Sequence, residues 1–546
     1  MNDIREQGCM RRLLSAWVSC RRGSIVLYMA LLIPVMTATI GLGIDVTQSY
    51  MVKERLARAL DAAALAAAGS AGLTEAQMQA RVDKFMAANY PPGRIGGYYN
   101  VKLTKSGDQV TVTGSASFET GFMRFLTKDL GTINTTATTR VNRLVGSNIE
   151  LALILDISGS MDNYSDSSNK TKKIDDLKTA AKSLIDTVVY TDQSQYTSEI
   201  AIVPYAVAVN AGTYAAAVRG AADNSVFNIT GATKANPVVI TTGGHNFKAG
   251  EVVYISGVKG MTQLNGKFFT VASPTATKFN LSGINGTSYG TFTTTGGTGT
   301  AACTKLGCQN YYFLSATGTN NFFGLSTCVS ERTGSAAYTD TPPTSAANRV
   351  GMNYPASSNP CLTNKVRPLT SDKTVLKADI DALTATGSTG GQAGIAWGWY
   401  MLAPDWGYLW APNSNGSYSA PKKYDADQLH KVAVIMTDGE FNSPYCNGVI
   451  AKDATTGSGN TSDHINCNAP NGDSYSQGRK LCDGMKAAGI EIYTIGFKVD
   501  DYPNGKALMQ YCAKDASHFY ASQNGSDLLL AFQAIARNVS QLYISQ

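Results

Sequence analysis

At 546 residues the chain is too long for one ordinary hydrophobic core, so two or more domains are expected. Charged residues are only 16% of the total, the net charge is +6 and no basic run exceeds two or three residues, which leaves a nucleic-acid surface unsupported. The four histidines, His245, His430, His464 and His518, form no H-x-x-x-H pair, which argues against a zinc hydrolase.

The first element is a membrane span. Ser24 to Ile44 is uncharged and mostly apolar over 21 residues, enough to cross a bilayer as a helix. Arg5, Arg11, Arg12, Arg21 and Arg22 precede it and Asp45 follows, so the positive-inside rule leaves the N-terminus in the cytoplasm and exports the rest. A cleaved signal peptide would have a shorter apolar region ending in an A-x-A-like site. Here QSYMVKERLARALDAAALAAAG prolongs the helix instead, so an uncleaved anchor is expected. The chain then divides into a cytoplasmic tail (1–22), a transmembrane helix (23–45) and a helical stalk (46–70). Ala59, Ala62, Ala63, Ala66 and Ala67 form a small-residue face that suits either another helix, hence a helix-mediated oligomer, or the protein's own domain.

Residues 71–147 read as a small α+β unit. LTEAQMQARVDKFMAANY is amphipathic, YYNVKLTKSGDQVTVTGSASFE reads as two alternating strands around a turn, TGFMRFLTKDL as a short helix and TINTTATTRVNRLV as a further strand.

An α/β domain is expected over 148–210 and 368–546. IELALILD is a continuous apolar run, the pattern of a parallel strand covered on both faces. TKKIDDLKTAAKSLIDTVV places Ile174, Leu177, Ala181, Leu184, Ile185 and Val188 on one helical face. SEIAIVPYAVAVN is the next strand, and alternation of helices and apolar strands resumes near Pro368, which predicts a doubly wound sheet. The gap, 211–367, is too long for a loop and is read as an insertion. Its part 227–302 has short β runs rich in Thr, Gly, Val and Asn and predicts an all-β module. GHNFKAGEVVYISGVKGMTQLNGKFFTV resembles a β repeat of ubiquitin-activating enzymes and phage virion proteins, a likeness that carries no catalytic residue. Residues 303–367 hold four cysteines with little periodicity and read as a disulfide-stapled loop region.

Eight cysteines lie in the exported part, where an oxidising compartment favours disulfides. Sequence alone does not fix their connectivity. The ranked guess is Cys482–Cys512, Cys446–Cys467, Cys328–Cys361 and Cys303–Cys308. Trp397 and Trp399 read as packing residues of a helix, whereas Trp406 and Trp410 lie in a looser stretch open to exposure.

Three distant segments end hydrophobic runs in metal-binding oxygens. LALILDISGS carries Asp156, Ser158 and Ser160; TATGSTGGQAG carries Thr389; KVAVIMTDGE carries Asp438. Two carboxylates and three hydroxyls form an all-oxygen set suited to a hard divalent cation, Mg²⁺ before Mn²⁺ or Ca²⁺. Asp156 and Ser160 also suit helix caps, and Asp438 a turn, on the same strand-to-helix loops. The neutral hydroxyls leave such a cation under-neutralised and open to an outside acidic group.

D-x-S-x-S after one buried strand, a distal Thr and T-D-G after another resemble the metal-ion-dependent adhesion site of von Willebrand factor A domains. RRGSIVLYMALLIPVM followed by GIDVTQSYMVKERLARALDAAALAAAG resembles the N-terminal region of TadE- and TadG-like proteins. With GIAWGWYMLAPDWGYLW and IMTDGEFN, the chain as a whole resembles TadG-type proteins of the tight-adherence (Flp pilus) machinery. Related pseudopilin-like segments carry a Glu where this chain has Tyr28, which favours a permanent anchor over assembly into a filament. The resemblance implies a non-enzymatic, metal-dependent binding and assembly protein. It would be single-pass in the inner membrane of a Gram-negative-type envelope, with most of its chain periplasmic and a partner in the pilus machinery offering a carboxylate. A surface-displayed adhesin is the alternative, although a helix of about 70 residues reaches only roughly 100 Å. A metal-dependent hydrolase is a third reading, but no general base stands out near the motifs.

Overall fold

The computed structural model describes residues 24–68, 73–91, 95–106, 109–125, 128–142, 147–166, 170–410 and 419–541. The cytoplasmic tail expected over 1–22, with Cys9 and Cys20, lies outside them. Two compact units are present, one within Met1–Gly146 and one within Ser147–Leu542.

In the first unit, helix α1 (Ser24–Ala68) runs through Pro34 as one element. Residues 28–40 are all exposed, and covered positions begin at Gly41. Val52, Leu56, Leu60, Ala63 and Ala67 recur every three or four residues and are buried, a single apolar stripe. That stripe packs on α2 (Glu75–Asn89) and on an antiparallel sheet of β1 (Gly97–Ser106), β2 (Gln109–Glu119) and β3 (Thr132–Asn142). A capping box between Thr74 and Gln77 starts α2. Along β2, Val110, Val112, Ala116 and Phe118 alternate into the core. The stalk expected over 46–70 is therefore part of the α+β unit. Ala59, Ala63 and Ala67 are buried under the unit's own elements, while Ala62 and Ala66 stay partly exposed. TGFMRFLTKDL forms two 3-10 turns, Met123–Phe125 and Lys128–Leu130, rather than one helix.

The second unit opens with β4 (Asn148–Asp156), α3 (Lys173–Val188), β5 (Ser198–Tyr205), β6 (Val209–Asn210) and the short α4 (Ala215–Arg219). Six strands follow: β7 (Val226–Ala232), β8 (Val239–Thr242), β9 (Val252–Ser256), β10 (Lys267–Ala272), β11 (Lys278–Leu281) and β12 (Thr300–Cys303). They close into a barrel in the order β10-β11-β8-β7-β12-β9 around Ile240, Val253, Ile255 and Phe279. Next come a hairpin, β13 (Asn310–Leu314) and β14 (Asn320–Gly324), then β15 (Cys328–Ser330), β16 (Gly351–Met352) and β17 (Arg367–Thr370). The remainder is α5 (Lys373–Asp381), α6 (Gly391–Leu402), β18 (Leu429–Thr437), β19 (Tyr445–Cys446), β20 (Val449–Ile450), α7 (Ser474–Ala487), β21 (Glu491–Phe497), α8 (Pro503–Cys512), β22 (Phe519–Ser522) and α9 (Gly525–Gln541).

The main sheet has the order β16-β15-β6-β5-β4-β18-β21-β22, with β17 on β5. Strands β5, β4, β18, β21 and β22 are parallel and the other pairings antiparallel, so the sheet is mixed around a parallel centre. Leu151, Leu153 and Leu155 of β4 alternate with Ala152 and Ile154, and all are fully buried, so both faces are covered. Ala152 and Ile154 share a core with Trp397 and Trp399 of α6 and with Leu481 and Met485 of α7. Gly394 and Gly398 permit the close approach of α6, because a Cβ at either would overlap Tyr205 or Ile154.

Two features depart from the sequence reading. Strands β13 to β16 lie inside the stretch read as a loop region: β13 and β14, of five residues each, pair as a hairpin, and β15 and β16, too short at two or three residues to show a period, extend the main sheet. Trp406 and Trp410 are fully buried, not exposed. The Pro404–Trp406 turn folds them back, stacking Trp406 on Tyr400 at 4.1 Å between ring centres. The indole N–H of Trp406 donates to the Asp340 carbonyl at 2.7 Å. The disulfides are Cys303–Cys308, Cys328–Cys361, Cys446–Cys467 and Cys482–Cys512, the same four pairs that the sequence suggested.

Candidate metal centre

Strands β4 and β18 are parallel neighbours, with Leu155 opposite Met436. Their apolar runs therefore deliver Asp156 and Asp438 to the same carboxyl edge of the sheet, where open α/β sheets bind ligands. Asp156, Ser158 and Asp438 are almost fully buried. The Thr437 hydroxyl crosses between the strands and donates to Asp156 Oδ2 at 2.7 Å, while the Ser158 N–H donates to Oδ1 at 2.8 Å. After Ser158 the chain makes a 3-10 turn, Gly159–Asp162, which turns Ser160 back toward β18. Ser160 Oγ donates to Asp438 Oδ1 at 2.6 Å and lies 3.1 Å from Ser158 Oγ. Four of the five predicted residues thus form one oxygen cluster.

Thr389 reaches the same edge on the loop before α6. Thr386 N–H donates to the Ile157 carbonyl at 2.9 Å, and Gly159 N–H to the Gly387 carbonyl at 2.8 Å, tying this loop to the D-x-S-x-S loop. Asn359 accepts from both the N–H and the hydroxyl of Ser388 at 2.9 Å and donates to the Ser458 carbonyl at 2.8 Å. Gly387 adopts a φ of +65°, and a Cβ at Gly390 would overlap the Val207 carbonyl, so this loop needs glycine at both positions. Thr389 is 5% exposed, and its hydroxyl makes no hydrogen bond to any described residue. Among the described residues no hydrogen bond joins Thr389 to the other four.

Burial pushes the Asp156 carboxyl up to about 7, and the Asp438 carboxylate acts in the same direction; the Ser158 and Thr437 donors oppose both. Two acids at one edge favour a bound cation for the same reason. The oxygen side chains of Asp156, Ser158, Ser160, Thr389 and Asp438 are of the type that would suit a hard divalent ion.

Four participants were missed from the sequence. Lys173, the first residue of α3, places its ammonium 2.7 Å from Asp438 Oδ2, and its side chain is only 9% exposed. Asn359, Thr437 and Asn442 were also missed. Thr437 alone had a local signal, since it precedes Asp438 and ends the apolar run. Among the described residues no histidine bonds to the cluster. His464 contacts the Ser458 carbonyl, and His518 contacts Glu491 and Asp515.

Residues 23–71 match the family described as putative Flp pilus-assembly TadE/G-like, which does not separate the TadE from the TadG type. No curated protein matches the chain. Solved structures with detectable likeness include the pilus adhesin SpaC from Lactobacillus rhamnosus GG, at 10% identity and a TM-score of 0.29; the likeness covers 83% of this chain and 35% of that one. Another is the vWF domain of the type V pili tip protein Mfa5 from Porphyromonas gingivalis, at 11% identity and a TM-score of 0.32, covering 74% of this chain and 98% of that one. A third is the PilB minor pilin from Streptococcus sanguinis, at 9% identity and a TM-score of 0.31, covering 82% and 79%. The chain thus spans about a third of the length of SpaC and most of the other two.

Proposed function

We propose that this chain is a binding and assembly protein of a pilus system, anchored in the inner membrane by α1, with its second unit in the periplasm. It would engage a carboxylate of a protein partner through a divalent cation, Mg²⁺ first and Mn²⁺ or Ca²⁺ as substitutes. The observation that carries this reading is the cluster of Asp156, Ser158, Ser160 and Asp438 at the carboxyl ends of two adjacent parallel strands. The TadE/G-like match over 23–71 and the exposed apolar part of α1 support the anchor and the pilus context. The chemistry is binding rather than turnover: hydroxyl ligands add no charge, so a cation held there retains affinity for an outside acid.

Calorimetric titration of Mg²⁺, Mn²⁺ and Ca²⁺ into the full chain, beside the Asp156→Ala/Asp438→Ala double variant, tests the site. Binding lost only in the variant is expected; absence of binding in the native chain would overturn the metal-dependent part. Protease treatment of intact cells tests the placement. A chain cut before the outer membrane is opened would be a surface adhesin instead.

A further inference from the structure

The apolar stretch of α1, residues 24–44, is just long enough for the membrane it would cross. It rises about 32 Å at 1.5 Å per residue, against a hydrocarbon core of about 30 Å. Arg21 and Arg22 oppose sliding the helix further inward. Its last turn, 41–44, falls at the boundary. At that level the α+β unit already leans on the helix: a Cβ at Gly41 would lie 2.5 Å from the Phe122 ring.

Asp45 follows directly, and it is fully buried. Its carboxylate accepts the N–H groups of Gly121, Phe122 and Met123 at 2.9, 2.8 and 2.6 Å. A carboxylate at the edge of a bilayer is costly unless paired, and here three backbone donors pair it. The same bonds fix the 121–125 turn beside the exit of the span. Thr120 closes its other side, donating from its hydroxyl to the Leu130 carbonyl at 2.8 Å.

This turn presents apolar side chains outward. Phe125 is 78% exposed, and Phe122 and Leu130 are more than two-fifths exposed. The Arg124 guanidinium lies 5.2 Å from the centre of the Phe125 ring. Large apolar groups beside a cation, continuous with a membrane-crossing surface, suit the headgroup boundary, where rings enter the acyl region and arginine meets phosphate.

Resting on the anchor reading above, we infer that Phe122, Phe125 and Leu130 form a membrane seat. This second contact dips into the outer boundary of the bilayer that α1 crosses, with Arg124 at the phosphate level and Asp45 as the pin that holds it to the helix.

The test uses the full chain in vesicles of phosphatidylethanolamine and phosphatidylglycerol doped with phosphatidylcholines brominated at different depths. Phe125→Trp and Leu130→Trp each add one tryptophan to the native background. The expected result is added emission that loses its larger part to bromine near the top of the acyl chains and little to acrylamide. Added emission quenched by acrylamide and not by bromolipid would overturn the seat. Resistance to both quenchers would mean that a protein surface covers the turn, and would also overturn it. Flotation of the vesicles separates the two readings: a chain that floats with unquenched tryptophans keeps the anchor and loses the seat, and one that does not float loses both.

Discussion

Asn442 grips Thr389 at both ends of the residue: its side-chain oxygen accepts the Thr389 N–H at 3.0 Å, and its own N–H donates to the Thr389 carbonyl at 2.9 Å. Ser443 Oγ donates to the same Asn442 oxygen at 2.8 Å. Two hydrogen bonds to Asn442 thus hold the backbone of the Thr389 loop in place.

Asn442→Ala removes that acceptor and leaves the buried Thr389 N–H without a partner, a loss of about 1–3 kcal/mol. Mg²⁺ affinity is expected to fall about tenfold or more as Thr389 loses its fixed position. Asn442→Asp keeps an acceptor and should lose less. Melting curves and Mg²⁺ titrations on both variants check this, and native affinity in Asn442→Ala would show that Thr389 is not a ligand.

Lys173 is a tethered positive charge on Asp438, so it competes with a divalent ion for the same carboxylate. Without metal, Lys173→Met breaks a buried pair and is expected to lower stability by about 3 kcal/mol. With saturating Mg²⁺ the order reverses, because removing a like charge a few ångströms from the ion should tighten binding about tenfold or more. Thermal melting of native and variant chains with and without Mg²⁺ reads both signs. An equal Mg²⁺-induced rise in Tm for the two proteins would show that the lysine does not compete.

At the opposite, amino end of the parallel strands, Glu491 meets His430, Lys514 and His518, with Asp515 behind His518. Burial pushes the Glu491 carboxyl up, but hydrogen bonds from His430, Lys514 and His518 outweigh that and hold it down at about 2, against an ordinary 4.5. A depressed carboxyl contributes stability that is complete above its unfolded value and is lost as pH falls toward the folded one. The native chain should therefore lose this contribution between pH 4.5 and about 2. Glu491→Gln should cost about 2 kcal/mol at neutral pH and flatten that part of the acid limb. Chemical denaturation against pH measures both, and an unchanged acid limb would refute the linkage.

Asp45→Ala frees three backbone donors at once and is expected to destabilise the first unit by about 2–3 kcal/mol. Hydrogen exchange of the chain in lipid nanodiscs should speed up at residues 121–123. The second unit should keep its native protection. Equal protection at 121–123 in both proteins would show that the carboxylate does not hold the turn.

The strands that carry the candidate site were legible because β4 and β18 hold the apolar runs 151–155 and 432–436, and Asp156 and Asp438 follow closely. Thr389 was legible only through its glycine-rich surroundings. Lys173 was not, since nothing near it marks a lysine whose partner lies 265 positions away. The alanines of α1 fitted a free stalk and a packed face equally well, because small residues permit close approach by any neighbour. Strands β15 and β16 were missed because tertiary pairing, not side-chain alternation, creates strands so short. Trp406 and Trp410 misled because a loop with Pro and Gly still buries its rings when a turn folds it onto a helix.

Beyond Pro34, which lacks the N–H donor, helix α1 runs into the core of the first unit as one continuous element that ends at Ala68. Anchor and scaffold are therefore a single rod, with no swivel between them. Whatever tilt the bilayer imposes on the lower half becomes the tilt of the three-stranded sheet clamped to the upper half. A change in membrane thickness, or a neighbour that leans on the span, would rotate that sheet through the same angle, as a lever turns with its handle.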